Sequence, residues 1–166
     1  MPHPHDIPFH EFMDLPTPFS NDVLREFAIC HVPHMTAASF LEDSEWCGYY
    51  SLSDRTPLQY FGSGQISFDP PMYDINFSVD RSEDSNQKKG VLNVTGTGGM
   101  DGVGTFTLSG TIDTKDGTLS MVKAYDNDGL SWNWRGVLTP LGLVAQWGEP
   151  DWGGWVWMWK ATWCPR

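Results

Sequence analysis

A lysine and a tyrosine fall on the apolar side of an alternating segment in the second half of the chain. Lys123 and Tyr125 share their parity with Leu119 and Met121 in residues 117–125, and alternate residues of a β-strand point to the same face of a sheet. A buried ammonium is costly unless it is paired or hydrogen-bonded, and such a group can become a functional donor. Two interpretations follow: Lys123 and Tyr125 donate hydrogen bonds to a ligand carbonyl, or Lys123 lies near a strand end and its amine reaches water.

Aromatic side chains supply the second set of candidate residues, because the chain contains nine Trp, nine Phe and five Tyr. In residues 153–163, Trp155, Trp157, Trp159 and Trp163 all occupy odd positions, which predicts that they wall the inside of a barrel. Rigid indoles suit both a packed core and the wall of a binding site, and both interpretations remain open. The predicted substrate-binding residues are Phe77, Phe106, Met121, Trp132, Trp134, Trp155, Trp157 and Trp159.

Three further charged residues are predicted to have structural roles. Arg135 and Lys160 fall on polar faces by parity, so we expect them to form surface ion pairs with Asp or Glu. Asp101 lies in the Gly-rich residues 98–102 and is predicted to be a turn residue.

The histidines and cysteines are poorly placed for metal or triad chemistry. Cys30, His31 and His34 have no second pair at zinc spacing, and Pro33 interrupts a helical arrangement. All five His precede residue 35, so a Ser-His-Asp triad would require the N-terminal residues to fold over the rest of the chain. Neither a Gly-rich phosphate loop nor a nucleophile elbow is present. We therefore predict no metal and no cofactor.

A two-residue hydrophobic period begins at Trp46 and continues to the C-terminus. It predicts eight strands, at residues 46–52, 72–80, 91–97, 104–113, 117–125, 130–138, 142–148 and 154–162. The short connections after the third strand contain Gly, Asn, Asp and Pro, which is typical of antiparallel hairpins. The predicted fold is all-β, an eight-stranded antiparallel up-and-down barrel of the calycin or lipocalin kind over residues 46–166. Residues 1–45 form a short extended and helical leader that can act as a lid.

The same alternation assigns side chains to the interior of the barrel. Polar residues such as Asp74, Ser78, Thr107 and Asn133 are predicted to face solvent. The residues predicted to face the interior from three of the strands are Tyr73, Ile75, Phe77, Val79, Phe106, Leu108, Gly110, Ile112, Leu130, Trp132, Trp134, Gly136 and Leu138.

Charge and the N-terminal residues restrict the partners and the compartment. A formal charge of −11 and a sequence pI of about 4.6 disfavour nucleic acid and anionic membrane surfaces. Cys30, Cys47 and Cys164 show no close pairing, which indicates a reducing compartment. The first residues lack a secretory pattern, and no apolar run has the length that spans a bilayer. We expect a cytoplasmic monomer or small homo-oligomer.

Several ordered motifs resemble the C-terminal β-barrel region of fungal F-box-type proteins. The likeness extends over residues 46–163, and the leader lacks the leucine-rich pattern of an F-box. The chain therefore resembles the barrel alone, and the resemblance implies a recognition-type scaffold without transferring a catalytic residue. The motifs are Trp46-x-Gly48-Tyr49-Tyr50, Gly99-x-Asp101-x-x-Gly104-x-Phe106-x-Leu108-x-Gly110, Lys123-x-Tyr125, Trp132-x-Trp134-x-Gly136, Leu138-Thr139-Pro140-Leu141-Gly142, Trp147-Gly148 and Gly153-Gly154-Trp155-x-Trp157-x-Trp159-Lys160.

Two functional hypotheses follow from these residues. The first is a cofactor-free cyclase or isomerase, such as a Diels–Alder pericyclase of fungal secondary metabolism, that holds a hydrophobic intermediate in an aromatic interior with Lys123 and Tyr125 as donors. This hypothesis rests on analogy at the level of the fold. The second is a module without chemistry, which carries a hydrophobic ligand or recognises a protein through an aromatic patch.

Overall fold

Eight antiparallel strands in sequential order close into a barrel. A computed structural model describes residues 31–53, 71–80, 90–127, 129–149 and 152–163. The strands are β1 Trp46–Ser53, β2 Met72–Val79, β3 Val91–Met100, β4 Thr105–Asp113, β5 Thr118–Tyr125, β6 Ser131–Thr139, β7 Gly142–Glu149 and β8 Trp152–Lys160. The barrel predicted from the two-residue period is confirmed. Of the predicted extended and helical leader, residues 1–30 lie outside the described residues.

Alternation explains most of the barrel wall. In β4 the side chains of Phe106, Leu108 and Ile112 are buried, while Ser109 and Thr111 between them are exposed. β-branched and aromatic residues suit such a half-buried pleated surface. The predicted faces of β4 and β5 are confirmed, and so are those of β6 within its bounds. Leu130 precedes β6 and is exposed, so the prediction that it faces the interior is wrong.

Two adjacent bulges interrupt the alternation in β2 and β3. Asp74 has φ 63° and Gly98 has φ 78°, and the register of β2 against β1 and of β3 against β4 shifts by one residue at these points. A bulge of one residue reverses the face of everything beyond it. Tyr73, predicted to face the interior, is therefore 38% exposed, and its neighbour Met72 is buried in its place.

A short helix closes the barrel where β1 begins and β8 ends, an end called here the helix end. Residues 31–35 are helical and are followed by α1, Ala38–Glu42. The indole N–H of Trp46 donates to the Leu41 carbonyl at 2.9 Å, and the rings of Phe40 and Trp163 pack against Trp46. No helix among the described residues is long and apolar enough to cross a membrane.

The opposite end carries the β3–β4 turn, residues 101–104, and is called here the turn end. The β5–β6 connection lies beside this turn, because Asp126 donates its N–H to the Thr105 carbonyl. Chain direction places the start of β2 and of β6 at the same end, since all neighbouring strands are antiparallel. Among the described residues, the two ends therefore differ in the segments that cover them, a helix at one end and two strand connections at the other.

Candidate functional site

Lys123 lies inside the barrel near the turn end, as predicted from its parity. Its residue is 2% exposed, and its ammonium forms an ion pair with the Asp101 carboxylate. The ammonium also lies over three aromatic rings, at 4.0 Å from the centroid of Phe106 and 4.7 Å from those of Tyr50 and Tyr125. Ring faces attract cations, most strongly when both are removed from water. The predicted alternative, an amine that reaches solvent, is wrong.

Asp101 reaches the interior because of the β3 bulge. Without the bulge at Gly98, residue 100 would face inward and residue 101 outward; with it, Met100 is exposed and Asp101 is buried. Gly99, which follows the bulge at Gly98, is also an inward position. An added Cβ there would stand 2.5 Å from the Phe106 ring. The prediction of a turn residue is confirmed, and the carboxylate also has a second set of partners inside the barrel.

The Asp101 carboxylate divides its two oxygens between the turn and the interior. Its Oδ1 accepts hydrogen bonds from the backbone N–H of Val103 at 2.8 Å and of Gly104 at 3.2 Å. Its Oδ2 accepts from the Tyr125 hydroxyl at 2.7 Å and from the Lys123 ammonium. A buried carboxylate with this many donors is stabilised in its ionised form.

The protonation states follow from burial and from these hydrogen bonds. Burial by itself would raise the pKa of Asp101, but the hydrogen bonds from Lys123 and Tyr125 and the lysine charge outweigh it, so the pKa lies below its ordinary value. Burial, the hydrogen bond to Asp101 and the nearby Tyr50 raise the pKa of the Tyr125 phenol far above its ordinary value. Near neutral pH Asp101 is therefore a carboxylate, and Tyr125 is a neutral phenol that donates a hydrogen bond to it.

These contacts determine which donor a ligand can use. Tyr125 has one O–H, and it is directed to Asp101. An ammonium has three N–H groups, and besides Asp101 the Lys123 nitrogen contacts the Met72 sulfur at 3.7 Å. A thioether is a weak acceptor, so a carbonyl oxygen in its position would be a better partner. Lys123 is thus the direct donor, and Tyr125 and Asp101 orient it. Lys123, Asp101, Tyr125, Met72, Tyr50 and Phe106 are called here the Lys123 site.

Indoles extend the aromatic surroundings of this site across the turn end of the interior. Tyr50 packs edge-on against Trp147 at 5.6 Å between centroids, and Trp147 packs against Trp132 at 5.7 Å. Trp132 is the register partner of Lys123 on the neighbouring strand and is half-buried. The interior next to the ammonium is therefore bounded by rigid rings.

The other predicted substrate-binding residues divide into two groups. Met121 and Trp134 are buried register partners one layer deeper than Lys123. Phe77 is buried toward the helix end, where its ring packs edge-on against Trp46 at 5.6 Å. The inward direction of these three residues is confirmed, but their contacts make them part of the packed core. Their role toward a ligand stays a prediction, as do those of Phe106 and Trp132.

The prediction that the β8 indoles face the interior is wrong. The inward positions of β8 are even-numbered, with Val156 and Met158 almost fully buried. Trp155 is 54% exposed on the outer wall. Trp157 and Trp159 lie beside each other on the same face of β8, 4.8 Å apart between centroids. Trp159 is buried at 4% exposure on this face, where Tyr49 of β1 packs on it at 5.7 Å.

Side-chain volume explains this choice of face. Register places Val156 between Tyr50 and Ala145, and Gly154 beside Trp147. An eight-stranded interior has room for its side chains and at most one small ligand, so large rings from β1 and β7 require small residues on β8. The opposite face would place three more indoles against rings that are already buried.

The same reversal moves Lys160 to the interior, where its residue is 6% exposed. The prediction of a surface position is wrong, although the predicted ion pair with a carboxylate exists: its Nζ lies 2.7 Å from Asp43 Oδ1. Arg135 is exposed, so its predicted polar face is confirmed.

Sequence reasoning missed Met72, Tyr50 and Trp147 as neighbours of the lysine, and it gave Asp101 only a turn role. The parity of Tyr50 with Trp46 on β1 was a usable signal. The Gly98-Gly99 pair was a weaker one, since isolated glycines in a strand often mark a bulge. No local feature of the sequence indicates that Asp74 takes φ 63°. The sequence therefore does not indicate that the Met72 side chain faces the interior.

Within the part of the chain that the structure describes, no group of three His, Cys, Asp or Glu residues is placed to hold a metal ion. His31 is buried, and its pKa is lowered by burial and by the nearby His34. Cys30 and Cys164 lie outside the described residues, and Cys47 is half-buried on the outer wall opposite Trp159.

No protein-family model, curated protein or solved structure matches this chain. The likeness to the barrel of F-box-type proteins therefore stays a prediction, and the functional argument depends on the geometry of the barrel.

Proposed function

We propose that this protein binds an apolar small molecule with a carbonyl group inside the barrel, and that it accelerates a cofactor-independent cyclisation or isomerisation of that molecule. The observation that carries the proposal is the ion pair of Lys123 and Asp101, whose side chains are 3% and 0% exposed. Removing two charges from water costs several kcal/mol for each ion, and well-packed apolar residues in their place are often as stable or more stable. A pair of this kind is therefore more readily explained by a function than by stability.

The contacts of Lys123 support the recognition of a carbonyl rather than of an anion. The Asp101 charge already balances the ammonium, so a ligand carboxylate would meet a like charge near its partner. A neutral carbonyl oxygen can accept an N–H in place of the Met72 sulfur without removing Asp101. The rings of Tyr50 and Phe106 on either side would contact the apolar body of the ligand.

The same arrangement can accelerate a reaction without a cofactor. A hydrogen bond from an ammonium strengthens as negative charge develops on the carbonyl oxygen in the transition state, and it is worth more in an apolar interior than in water. Rigid rings can restrict a flexible conjugated chain to the folded shape from which it closes. Asp101 and Tyr125 hold the ammonium in one position, so the donor needs no reorganisation during the reaction.

The test combines ligand binding with turnover in the full chain. The probe set is a series of apolar conjugated ketones and esters of increasing length, measured by native mass spectrometry and by quenching of Trp fluorescence. We expect binding of one size range, with loss of about tenfold to a hundredfold in affinity in Lys123→Met, the range of a charge-assisted hydrogen bond. Trp132→Ala is expected to weaken binding as well, because that ring lies inside the turn end.

Trp155→Ala is the matched control, since it removes an indole from the outer wall. It is expected to leave the affinity unchanged. If the molecule binds but is not converted, the protein is a carrier, and the proposed cyclisation or isomerisation is overturned. Absence of binding across the series, or equal affinity in Lys123→Met, would overturn the proposal.

One observation favours the alternative of a protein-recognition module. An apolar row crosses four strands of the outer wall through the register partners Val137, Val144, Trp157 and Tyr49, beside the exposed Trp155. Aromatic rings in such patches often anchor protein partners. Failure of every small-molecule probe would make this wall the better candidate.

A further inference from the structure

The carboxylate of one residue, Asp101, connects the surface of the turn end with the interior. One oxygen holds the backbone of Val103 and Gly104, and the other holds Lys123 and Tyr125. A displacement of the Lys123 ammonium therefore acts on the same carboxylate that fixes the turn. The turn itself lies in the sequence Gly98-Gly99-Met100-Asp101-Gly102-Val103-Gly104, whose glycines permit more than one backbone conformation.

The surface around this turn is apolar. Val103 is 55% exposed at the turn, and Met100 and its register partner Tyr73 are 36% and 38% exposed. Leu130 is 37% exposed in the neighbouring β5–β6 connection. Single exposed apolar residues are ordinary, but here four of them lie at one end of the barrel, directly outside the buried ion pair.

Among the described residues, those at the helix end offer no comparable route. Trp46 and Leu41 are fully buried there and are joined by a hydrogen bond. The Val79 N–H donates to the Glu42 side chain at 2.8 Å, and the Ala161 N–H donates to the Glu45 carbonyl at 2.7 Å. Opening this end would break the contacts of α1 with β1 and β2 and the Ala161–Glu45 hydrogen bond after β8.

We propose that the β3–β4 turn, residues 101–104, is the gate through which an apolar ligand reaches the Lys123 site, and that Asp101 is the latch that couples the turn to the lysine. The inference rests on the proposed function for the identity of the ligand. In the closed state the carboxylate holds the turn against the barrel. When the Asp101 side chain leaves Lys123, its charge is more stable in water than unpaired in the interior, so the side chain moves outward and the turn opens with it.

The latch can be tested without any ligand. Amide hydrogen exchange of Val103 and Gly104 is measured in the full chain and in Lys123→Met, with Lys160→Met as the matched control at the other end. We expect exchange at these two amides to accelerate by about tenfold or more in Lys123→Met, as for a local opening, although the mutated side chain does not contact them. Amides of the β4–β5 ladder away from the mutated position, such as Ile112 and Leu119, serve as the reference for global unfolding.

Acceleration that is equal at the turn and in the ladder would mean global destabilisation and would overturn the latch. So would unchanged exchange at Val103 and Gly104. If Lys123→Met does not fold, the same amides are measured in Tyr125→Phe, which removes one hydrogen bond to Asp101 Oδ2 and is expected to produce a smaller acceleration in the same direction.

The gate is tested by binding kinetics with the ketone or ester that binds best. Val103→Asp places a charge on the turn and leaves the buried site intact, so we expect association and dissociation to slow together by about tenfold, within the usual range for variants of one site, with the dissociation constant unchanged. Leu141→Asp is the matched control, because Leu141 is 37% exposed in the β6–β7 turn at the helix end. Equal rates in Val103→Asp and the wild type would overturn the gate. Absence of binding in the wild type would instead overturn the proposed function, while the exchange result would still decide the latch.

Discussion

The two ends of the barrel each contain an inward lysine, an aspartate and aromatic rings, yet the two ion pairs differ in their access to water. At the helix end Lys160 pairs with Asp43, whose side chain is 54% exposed. At the turn end Lys123 pairs with Asp101, and both side chains are almost completely buried. Lys160 lies over two rings, at 4.2 Å from the centroid of Phe40 and 5.6 Å from that of Trp163, against three rings around Lys123.

Hydration of the carboxylate is what makes the two pairs different. The Asp43 carboxylate stays hydrated when Lys160 is removed. The Lys160–Asp43 pair therefore links the leader to β8, and its loss leaves no buried unpaired carboxylate. Asp101 has no water to return to unless the turn opens, so its partner cannot be lost without a large cost. The helix end has the arrangement expected of a structural contact, and the turn end has the arrangement expected of a site.

The largest effect is expected from breaking the pair at the turn end. Lys123→Met leaves the Asp101 carboxylate buried with one donor fewer, and we expect a loss of about 3–5 kcal/mol in the free energy of unfolding. The double variant Lys123→Met with Asp101→Asn is expected to lose less than Lys123→Met alone, because no buried charge remains. Urea unfolding of the single and double variants measures both. A double variant that is less stable than either single one would contradict this account of the pair.

An effect of intermediate size is expected from acid. The pKa of Asp101 is depressed below its ordinary value of 3.8, so its ionised form contributes stability that is fully present above about pH 3.8 and is lost as the pH falls through the lower, folded-state pKa. The difference in unfolding free energy between the wild type and Asp101→Asn should be constant from pH 7 to about 5 and should shrink toward zero below pH 3.8. A difference that persists unchanged at pH 2 would mean that the Asp101 charge is not what stabilises the turn end.

The smallest effect is expected at the helix end. Lys160→Met removes the charge but keeps most of the apolar stem that lies against Phe40 and Trp163. Only the Asp43 side of this pair is exposed. Since Asp43 remains hydrated and no unpaired charge stays buried, we expect a change of about 0–1 kcal/mol. Urea unfolding against the same wild type gives the comparison. A loss as large as that of Lys123→Met would show that the two ends are energetically alike and would remove the distinction made above.

Prediction from the sequence was most successful where one face of a strand is polar. Thr118 and Ser120 alternate with Leu119 and Met121, which leaves one consistent assignment for β5 and places Lys123 inside by parity. In β8 both faces are apolar, so the alternation does not indicate which face is inside. The prediction for β8 rested on the indoles at its odd positions. Rings from β1 and β7 occupy the space beside β8, and that information lies in β1 and β7 rather than in β8.

By itself the sequence determined that eight strands alternate with turns and that an ammonium and a phenol share one face of the fifth strand, because a two-residue period and turn chemistry are local properties. Only the tertiary structure decided which carboxylate meets that ammonium and which face of β8 is inside. Both decisions depend on register. A one-residue bulge in β3 turns the Asp101 side chain from the outer face to the interior. The volume of rings on adjacent strands places Val156 and Met158, rather than the indoles, inside the barrel. A shift of one residue exchanges the two faces of a strand, and the energy that fixes it comes from neighbours that are distant in the chain.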